Sequence, residues 1–426
     1  NTYIGNTAIN AGTLRVGAGA AAGHLGTNTA TIAGSARLLV YRNDAWTFST
    51  PVSGSGKWIM QGTATLNQSD YNITGSNLAF TGTLIITNGA RFQLNAQNDL
   101  GSGPIYAVSS GQVYTAAGGP YTQSLYVAGI GWSEAAGNLG ALRIEGSTTW
   151  SGPVALVDNA RICSYGSAGT ISGNITLNGK NLECYTQNGN TTISGKLVGA
   201  GAVIKTGNFS LFLSGNNSGF SGNFTNTSSN VMLNHASAAG SSNATWTITA
   251  GTFNNTMAGA VSIQMGALSG TGGSIGNNVG GSAVTWCIGA MGLNTTCAAT
   301  IVDSVGGGGT SSLVKVGPGT QTLTGYNTFT GGTTVSNGTL ALGYAAGGNG
   351  CIRGTVSVYT NATLNYTTDN TFGWNGGASV NVLNIIGGTV GGADYGNHFW
   401  NSFQLNMTGG TLYLGNVLNE FLTPTI

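Results

Sequence analysis

Residues 1–17 recur 326 positions later. The first stretch reads NTYIGNTAINAGTLRVG, and residues 327–343 read NTFTGGTTVSNGTLALG. Eight of the 17 positions are identical: Asn1/Asn327, Thr2/Thr328, Gly5/Gly331, Thr7/Thr333, Gly12/Gly338, Thr13/Thr339, Leu14/Leu340 and Gly17/Gly343. The tail returns once more as Gly410-Thr411-Leu412-Tyr413-Leu414-Gly415. An upstream half recurs as well: VIKTGNFSLFLSGNNSGFSGN at 203–223 and LVKVGPGTQTLTGYNTFTGGT at 313–333 share Lys205/Lys315, Gly207/Gly317, Leu213/Leu323, Gly215/Gly325, Asn217/Asn327 and Gly222/Gly332. Self-similarity of this kind belongs to chains built by stacking one small unit on the next. It predicts a single continuous solenoid over 1–426, not the two or three globular domains that 426 residues would ordinarily suggest.

The local pattern gives the unit. No sustained i, i+3, i+4 apolar stripe occurs, whereas short alternating runs are frequent. Ala141-Leu142-Arg143-Ile144-Glu145 puts Leu142 and Ile144 on one face and Arg143 and Glu145 on the other. Ile175-Thr176-Leu177 and Thr339-Leu340-Ala341-Leu342 alternate likewise, and Gly, Asn or Ser bounds each run, as strands and turns require. A turn of helix is expected only in short stretches such as Ala20–Leu25. Coils stacked about 4.8 Å apart place each side chain over its equivalent in the next coil, so stacked like charges repel. A chain with 74 Gly and only 5% charged residues, yet 40% hydrophobic, suits that geometry. Gly turns the corners, aliphatics fill the inside, and Asn, Thr and Ser form ladders. At roughly 20–25 residues per coil the expectation is about 17–21 coils and a rod on the order of 80–100 Å.

These repeats resemble the autotransporter-associated β-strand repeat. That family has a Lys-x-Gly-x-Gly-Thr lead, a Leu-Thr/Ser-Gly-x-Asn-Thr-Tyr/Phe-x-Gly-x-Thr centre and a Gly-Thr-Leu-x-x-Gly end. The best copy is 313–343, with partial copies at 1–17, 195–223 and 409–415. The resemblance implies a right-handed parallel β-helix exported to a bacterial surface. It implies no catalytic residue, because the motif consists of structural positions. The membrane barrel of autotransporters has no counterpart before Ile426.

Composition also bounds partners. Twelve Lys plus Arg face eleven Asp plus Glu, so nucleic-acid binding through a basic surface is not expected. No run of 18 apolar residues exists, so no membrane-spanning helix is expected. The start, Asn1-Thr2-Tyr3-Ile4-Gly5, has neither basic nor apolar leader character, which places any secretory signal upstream or already removed.

Converging titratable groups are scarce. His24, His235 and His398 are far apart, and no Cys-x-x-Cys, His-x-x-x-His or Asp-rich calcium repeat occurs, so no metal or cofactor site is predicted. Gly272-Gly273-Ser274-Ile275-Gly276 fits a nucleophile-elbow pattern, which works only at a strand-to-helix turn and arises by chance in a chain this rich in Gly and Ser. Asp394 with His398, flanked by Tyr395 and Trp400, is the best acid/base candidate and reads more simply as a polar surface loop. Asp303, Asp369 and Asp394 lie in separate segments and form no cluster in the sequence. The eight Trp and 15 Tyr are either a carbohydrate-binding face or, as is more usual, core and corner residues.

The expected function is a non-enzymatic, secreted structural solenoid of the extracellular space or bacterial cell surface. Its main partner is itself, through a head-to-tail homopolymer that makes a fibre or matrix. The alternative is an adhesin passenger that binds a host surface or a glycan, and the third reading is a polysaccharide-active enzyme. Two disulfides are expected, Cys163–Cys184, 21 residues apart and so about one coil, and Cys287–Cys297 across a loop. Cys351 is left over, either buried or paired between molecules. The head-to-tail contact is expected to use Asn1 and Tyr3 at one end and Leu418, Phe421 and Leu422 at the other.

Overall fold

A computed structural model describes residues 3–344, 350–368, 371–373, 378–392 and 403–413. They form two compact units that meet in sequence at Phe212 and Leu213. Each unit is a parallel β-solenoid with three main ladders, and residues 3–212 add a short parallel one of Thr7–Ile9, Ala30–Ile32 and Val52–Gly54.

In residues 3–212 the first ladder runs from Thr13–Val16 through Arg37–Tyr41, Lys57–Gln61, Thr83–Thr87, Ile105–Ala107 and Leu125–Gly129 to Val154–Ser164. The second takes Ala45–Phe48, Asp70–Ile73, Arg91–Leu94, Gln112–Thr115, Leu142–Ile144, the later part of Val154–Ser164, Leu182–Thr186 and Ala202–Thr206. A third joins Thr149–Trp150, Gly169–Ile171 and Thr191–Ile193. All of these pairings are parallel, as a coil that always turns the same way demands.

Alternation along each strand sorts the side chains. Leu38, Trp58, Leu84, Ile105, Leu125, Val154, Ile175 and Leu197 stack in register inside and are all buried. Aromatic packing continues inside the early coils, where the Trp58 ring lies 5.2 Å from Phe48 and 5.4 Å from Phe92. Where coils turn, backbone meets backbone. A Cβ added to Gly173 would sit 1.8 Å from the Gly152 carbonyl oxygen, and one on Gly195 would sit 2.0 Å from that of Gly173. Only Gly fits such a stack.

In residues 213–413 the first ladder runs through Asn223–Asn226, Thr245–Ile248, Ala267–Gly270, Thr295–Cys297, Thr320–Leu323, Gly338–Leu342, Ala362–Tyr366, Thr389–Gly392 and Thr411–Leu412. The second runs from Ala260–Met265 through Ala283–Ile288, Thr310–Lys315, Thr333–Val335, Gly354–Tyr359 and Val380–Ile386 to Gln404–Met407. The third joins Asn230–Leu233, Thr252–Asn255, Ser274–Asn277 and Thr300–Ser304. Inside, Phe224 and Trp246 stack at 4.2 Å, and Phe253 meets Trp246 edge-on at 5.1 Å.

The all-β expectation holds for both units. Among the described residues helical structure is confined to a single 3-10 turn at Gln97–Asp99. Ala20–Leu25, expected as a turn of helix, is an irregular loop instead. The Gly17–Gly23 approach ties it down: a Cβ on Gly23 would sit 2.6 Å from the Gly17 amide nitrogen, which leaves no room for a helical turn of larger residues.

Candidate functional site

The repeat motif consists of buried corner residues. Lys205 and Lys315, matched in the two upstream halves, are fully buried. Lys315 Nζ donates to the carbonyls of Val316, Gly317 and Asn337 at 2.8, 2.7 and 3.1 Å, and Lys205 Nζ donates to the Gly207 carbonyl at 2.7 Å. The Lys315 ammonium thus closes a corner by collecting three carbonyls. Burial holds both amines down, to about 8.

The motif asparagines are rivets between coils. Asn327 Oδ1 accepts the Ile301 backbone N–H at 2.8 Å, and Asn217 Nδ2 donates to the Ala238 carbonyl at 2.9 Å. Asn77 does both: Oδ1 accepts from Val52 N at 2.7 Å, and Nδ2 donates to the carbonyls of Gly75 and Asp99 at 2.9 and 2.8 Å. All three are buried, and Phe80, Phe220 and Phe329 are buried just after them. The sequence Thr74-Gly75-Ser76-Asn77-Leu78-Ala79-Phe80-Thr81-Gly82 is therefore a further copy of the repeat centre. Sequence reading missed it because no Lys-x-Gly lead precedes it, although the Gly-x-Asn-x-x-Phe-x-Gly spacing was present as a signal.

The densest charged cluster lies on the outward face of the second ladder in residues 3–212. Here a two-stranded antiparallel hairpin, Ser133–Glu134 with Gly137–Asn138, leaves the coil and folds back over the sheet. Trp132 leads into it, is buried, and donates Nε1–H to the Gln68 carbonyl at 2.6 Å. The Arg91 guanidinium lies 4.0 Å from the Trp132 ring and 5.1 Å from that of Tyr114, and it pairs with Asp70. Arg143 lies 4.4 Å from Tyr114 and pairs with Glu134 at 2.6 Å and with Glu145. Tyr114 Oη donates to Glu145 at 2.7 Å, and burial with that bond pushes its hydroxyl up to about 12. Arg161, over Tyr185, pairs with Glu183 at 2.8 Å. The hairpin explains why Arg143, on the strand face opposite Leu142 and Ile144, is buried as well. Every carboxylate in the cluster is committed to a guanidinium, so it is built to hold the hairpin down; none is left poised to move a proton.

The other outward faces differ between the units. In residues 3–212, Leu39, Ile59, Ile85, Tyr106, Tyr126, Ala155, Thr176 and Val198 form a half-exposed row in register, with Tyr106 and Tyr126 stacked at 4.5 Å. In residues 213–413, Thr320, Thr339, Thr363, Thr389 and Thr411 form a row of five threonines. On earlier coils of the same ladder stand Thr225, Thr247 and Ser269 in register, with Thr247 and Ser269 hydrogen-bonded at 2.9 Å.

The expected disulfides do not form; all five cysteines are free. Cys184 stacks on Ile162, 22 residues back, not on Cys163, which stands against Arg143 and Tyr185. A separation of 21 misses the coil by one residue, and a one-residue slip in a strand turns the side chain to the other face. Cys287 and Cys297 are also apart: Cys287 faces outward on Ala283–Ile288, its Sγ 3.2 Å from Ser262 Oγ, whereas Cys297 points inward from Thr295–Cys297 on a different ladder. Cys351 is buried, with Asn327 Nδ2 3.5 Å from its sulfur.

Ser274 stands on a strand, its Oγ 2.9 Å from Thr300 Oγ1, so it has no elbow geometry. His24 packs edge-on against Trp46 at 6.2 Å, and His235 Nδ1 accepts the Ser237 N–H at 3.0 Å. Tyr3 is partly exposed and shares a 2.6 Å hydrogen bond with Thr7. Asp303 accepts N–H bonds from Ser311 and Thr330, both at 2.9 Å. Asp369, Asp394, Tyr395, His398 and Trp400 lie outside the described residues, as do Asn1, Leu418, Phe421 and Leu422. Among the described residues no group of three His, Cys, Asp or Glu is placed to hold a metal ion, and no helix is long and apolar enough to cross a membrane.

Fold and corner residues together define both units as parallel β-solenoids in which buried Asn and Phe recur at the repeat centre, twice after a buried Lys. The family model of the passenger-associated transport repeat matches residues 1–16 and 313–342, the two stretches whose recurrence marked the sequence. No curated protein and no solved structure matches the chain.

Proposed function

We propose that the chain is a passenger segment that acts as a non-enzymatic structural unit of a cell-surface or extracellular fibre or matrix. The transport repeat carries this reading, since it accompanies passengers moved to the outside of a cell. The charge economy of the described residues supports it. Lys315 is spent on carbonyls, Arg91, Arg143 and Arg161 on carboxylates, and Asp303 on backbone N–H groups. The outermost coil of any solenoid stack offers unpaired strand edges, and an unlike-end contact between copies propagates into a filament. Self-association end to end, through surfaces that include Asn1, Tyr3, Leu418, Phe421 and Leu422, is the assembly this predicts. Negative-stain microscopy of the full chain tests it: fibres that shorten to particles on deleting 416–426 support the reading, and fibres unchanged by that deletion refute it.

The half-exposed row through Tyr106 and Tyr126 favours a second reading, an adhesin that binds a glycan or host surface along one face. Saturable glycan binding lost in Tyr106→Ser/Tyr126→Ser, with no fibres, would favour that reading over the first.

A further inference from the structure

Arg15 and Arg37 are exposed, and the arginines of the described chain that are shielded from solvent follow a rule with one exception. Arg42 and Arg143 are buried, Arg91 and Arg161 part-buried, and each pairs with a carboxylate. Arg353 is also part-buried, directly after the buried pair Cys351 and Ile352. Its Nε and Nη2 are shielded from solvent and donate to nothing among the described residues. Lys315 is the other Lys or Arg within 213–426, and its ammonium is satisfied by three carbonyls. Asp303, the acid of that unit within the described residues, is committed to Ser311 and Thr330.

An aromatic pair stands beside Arg353. Its guanidinium carbon lies 5.5 Å from the Tyr326 ring centroid. Tyr344 flanks that ring at 5.9 Å, tilted by 53°. A guanidinium is always charged, and its N–H groups form a planar fork that matches two oxygens of an oxyanion. Leaving such donors buried and unpaired is costly, and natural structures satisfy nearly all of them, with an ion where no side chain serves. Tyrosine beside the fork offers a hydroxyl and a ring face to whatever carries the anion.

We propose that Arg353, with Tyr326 and Tyr344, is a binding site for an oxyanion group, a carboxylate or sulfate, of the kind borne by acidic glycans. The assignment does not rest on the assembly reading: a fibre unit and a monomer offer it equally.

Thermal unfolding of the full chain tests this, in anion-poor buffer and then with sodium sulfate or trigalacturonate, against sodium chloride of equal ionic strength. In the anion-poor buffer Arg353→Met is expected to melt at or above the parent, because the substitution removes an unsatisfied charge. Sulfate or trigalacturonate is expected to raise the parent midpoint by a few degrees and to leave Arg353→Met unmoved. A shift at tenfold or lower trigalacturonate than sulfate assigns the site to an acidic sugar; equal potency assigns it to a simple oxyanion. Arg353→Lys, which keeps the charge and loses the fork, is expected to lose at least tenfold in apparent affinity. The Arg353 Nε–H resonance gives an independent readout and is expected to move on anion addition. Arg353→Met melting several degrees below the parent without anion overturns the proposal, since the guanidinium would then already have a partner. Equal anion shifts in parent and Arg353→Met, or an Nε–H resonance that does not respond, overturn it too.

Discussion

At the residue scale, stability is set by a few polar groups placed where a solenoid can least tolerate an unpaired one. Asn77 shows this most fully, since one amide satisfies Val52 N, Gly75 O and Asp99 O. Asn77→Ala leaves those three groups buried without partners, and each orphaned group costs about 1–3 kcal/mol. A loss of roughly 3 kcal/mol in denaturant unfolding is expected; a loss below about 1 kcal/mol would show that the amide does not rivet the coils. The buried amines and thiols give the chain a defined alkaline profile. Lys205 and Lys315 are held down to about 8 from 10.5, so between those values the unfolded chain binds protons that the folded chain does not, and stability rises with pH. Burial pushes Cys163, Cys184 and Cys351 up to about 12 and Cys297 to about 11. Their protons leave the unfolded chain first, from near 9, so stability falls above that point. The melting temperature is expected to peak near pH 9. Lys205→Met/Lys315→Met should flatten the rise below the peak and keep the fall above it; a monotonic decline in the parent from pH 7 would contradict the buried amines.

At the element scale, what the sequence disclosed depended on whether a feature repeats. The strand pattern around Leu142 and Ile144, the Gly-bounded runs and the 313–343 copy all declare themselves, because stacking imposes the same residue at the same place in each coil. The hairpin at 133–138 does not repeat, and nothing in Ser133-Glu134 or Gly137-Asn138 marks it as a strap over Arg91 and Arg143. The coil register was legible to within about one residue, which suffices to place an aliphatic and not a disulfide: Cys163 and Cys184 fail by a single position. The cation–aromatic ladder was illegible for a related reason, since its members come from coils of unequal length. Val113 pairs with Leu142, 29 positions on, whereas Leu142 pairs with Ile162, 20 on. The strap itself is testable. Glu134 pairs with Arg143 at 2.6 Å and with Arg91 at 3.7 Å, and its side chain is 14% exposed. Glu134→Gln is expected to cost about 2 kcal/mol, less than the roughly 3–5 of a fully buried pair, since Asp70 and Glu145 still hold the two arginines. Protease cleavage within 130–140 should quicken in the variant; unchanged cleavage would mean that Trp132 and the bonds of Asn67 to Ser133 and of Arg161 to Asn138 fasten the hairpin without Glu134.

At the scale of the whole molecule, the 5% charge content follows from the stacking geometry. An outward position in one coil lies about 4.8 Å from its equivalent in the next. Two like unit charges at that distance repel by about 1 kcal/mol even in water. A row that runs through many coils multiplies the term, and a chain of stacked coils avoids it by dressing its outside with hydroxyls and amides. At Asp70, Arg91, Arg143 and Glu145 signs alternate or an aromatic ring intervenes, and the like-charged pair stacked in register, Arg37 and Lys57, stands at an exposed strand start where water screens it. The row Thr225, Thr247 and Ser269 offers a direct test, because these residues stand in register 22 positions apart on three successive coils. Thr247→Lys alone is a surface change and should alter stability by no more than about 0.5 kcal/mol. Thr225→Lys/Thr247→Lys/Ser269→Lys should lose about 2 kcal/mol beyond the sum of its single substitutions, from two nearest-neighbour repulsions. Because those charges are exposed, the excess should shrink in molar salt, where the screening length falls to about 3 Å. Strict additivity of the three substitutions at low salt, or an excess indifferent to salt, would show that charge stacking is not what keeps this surface neutral.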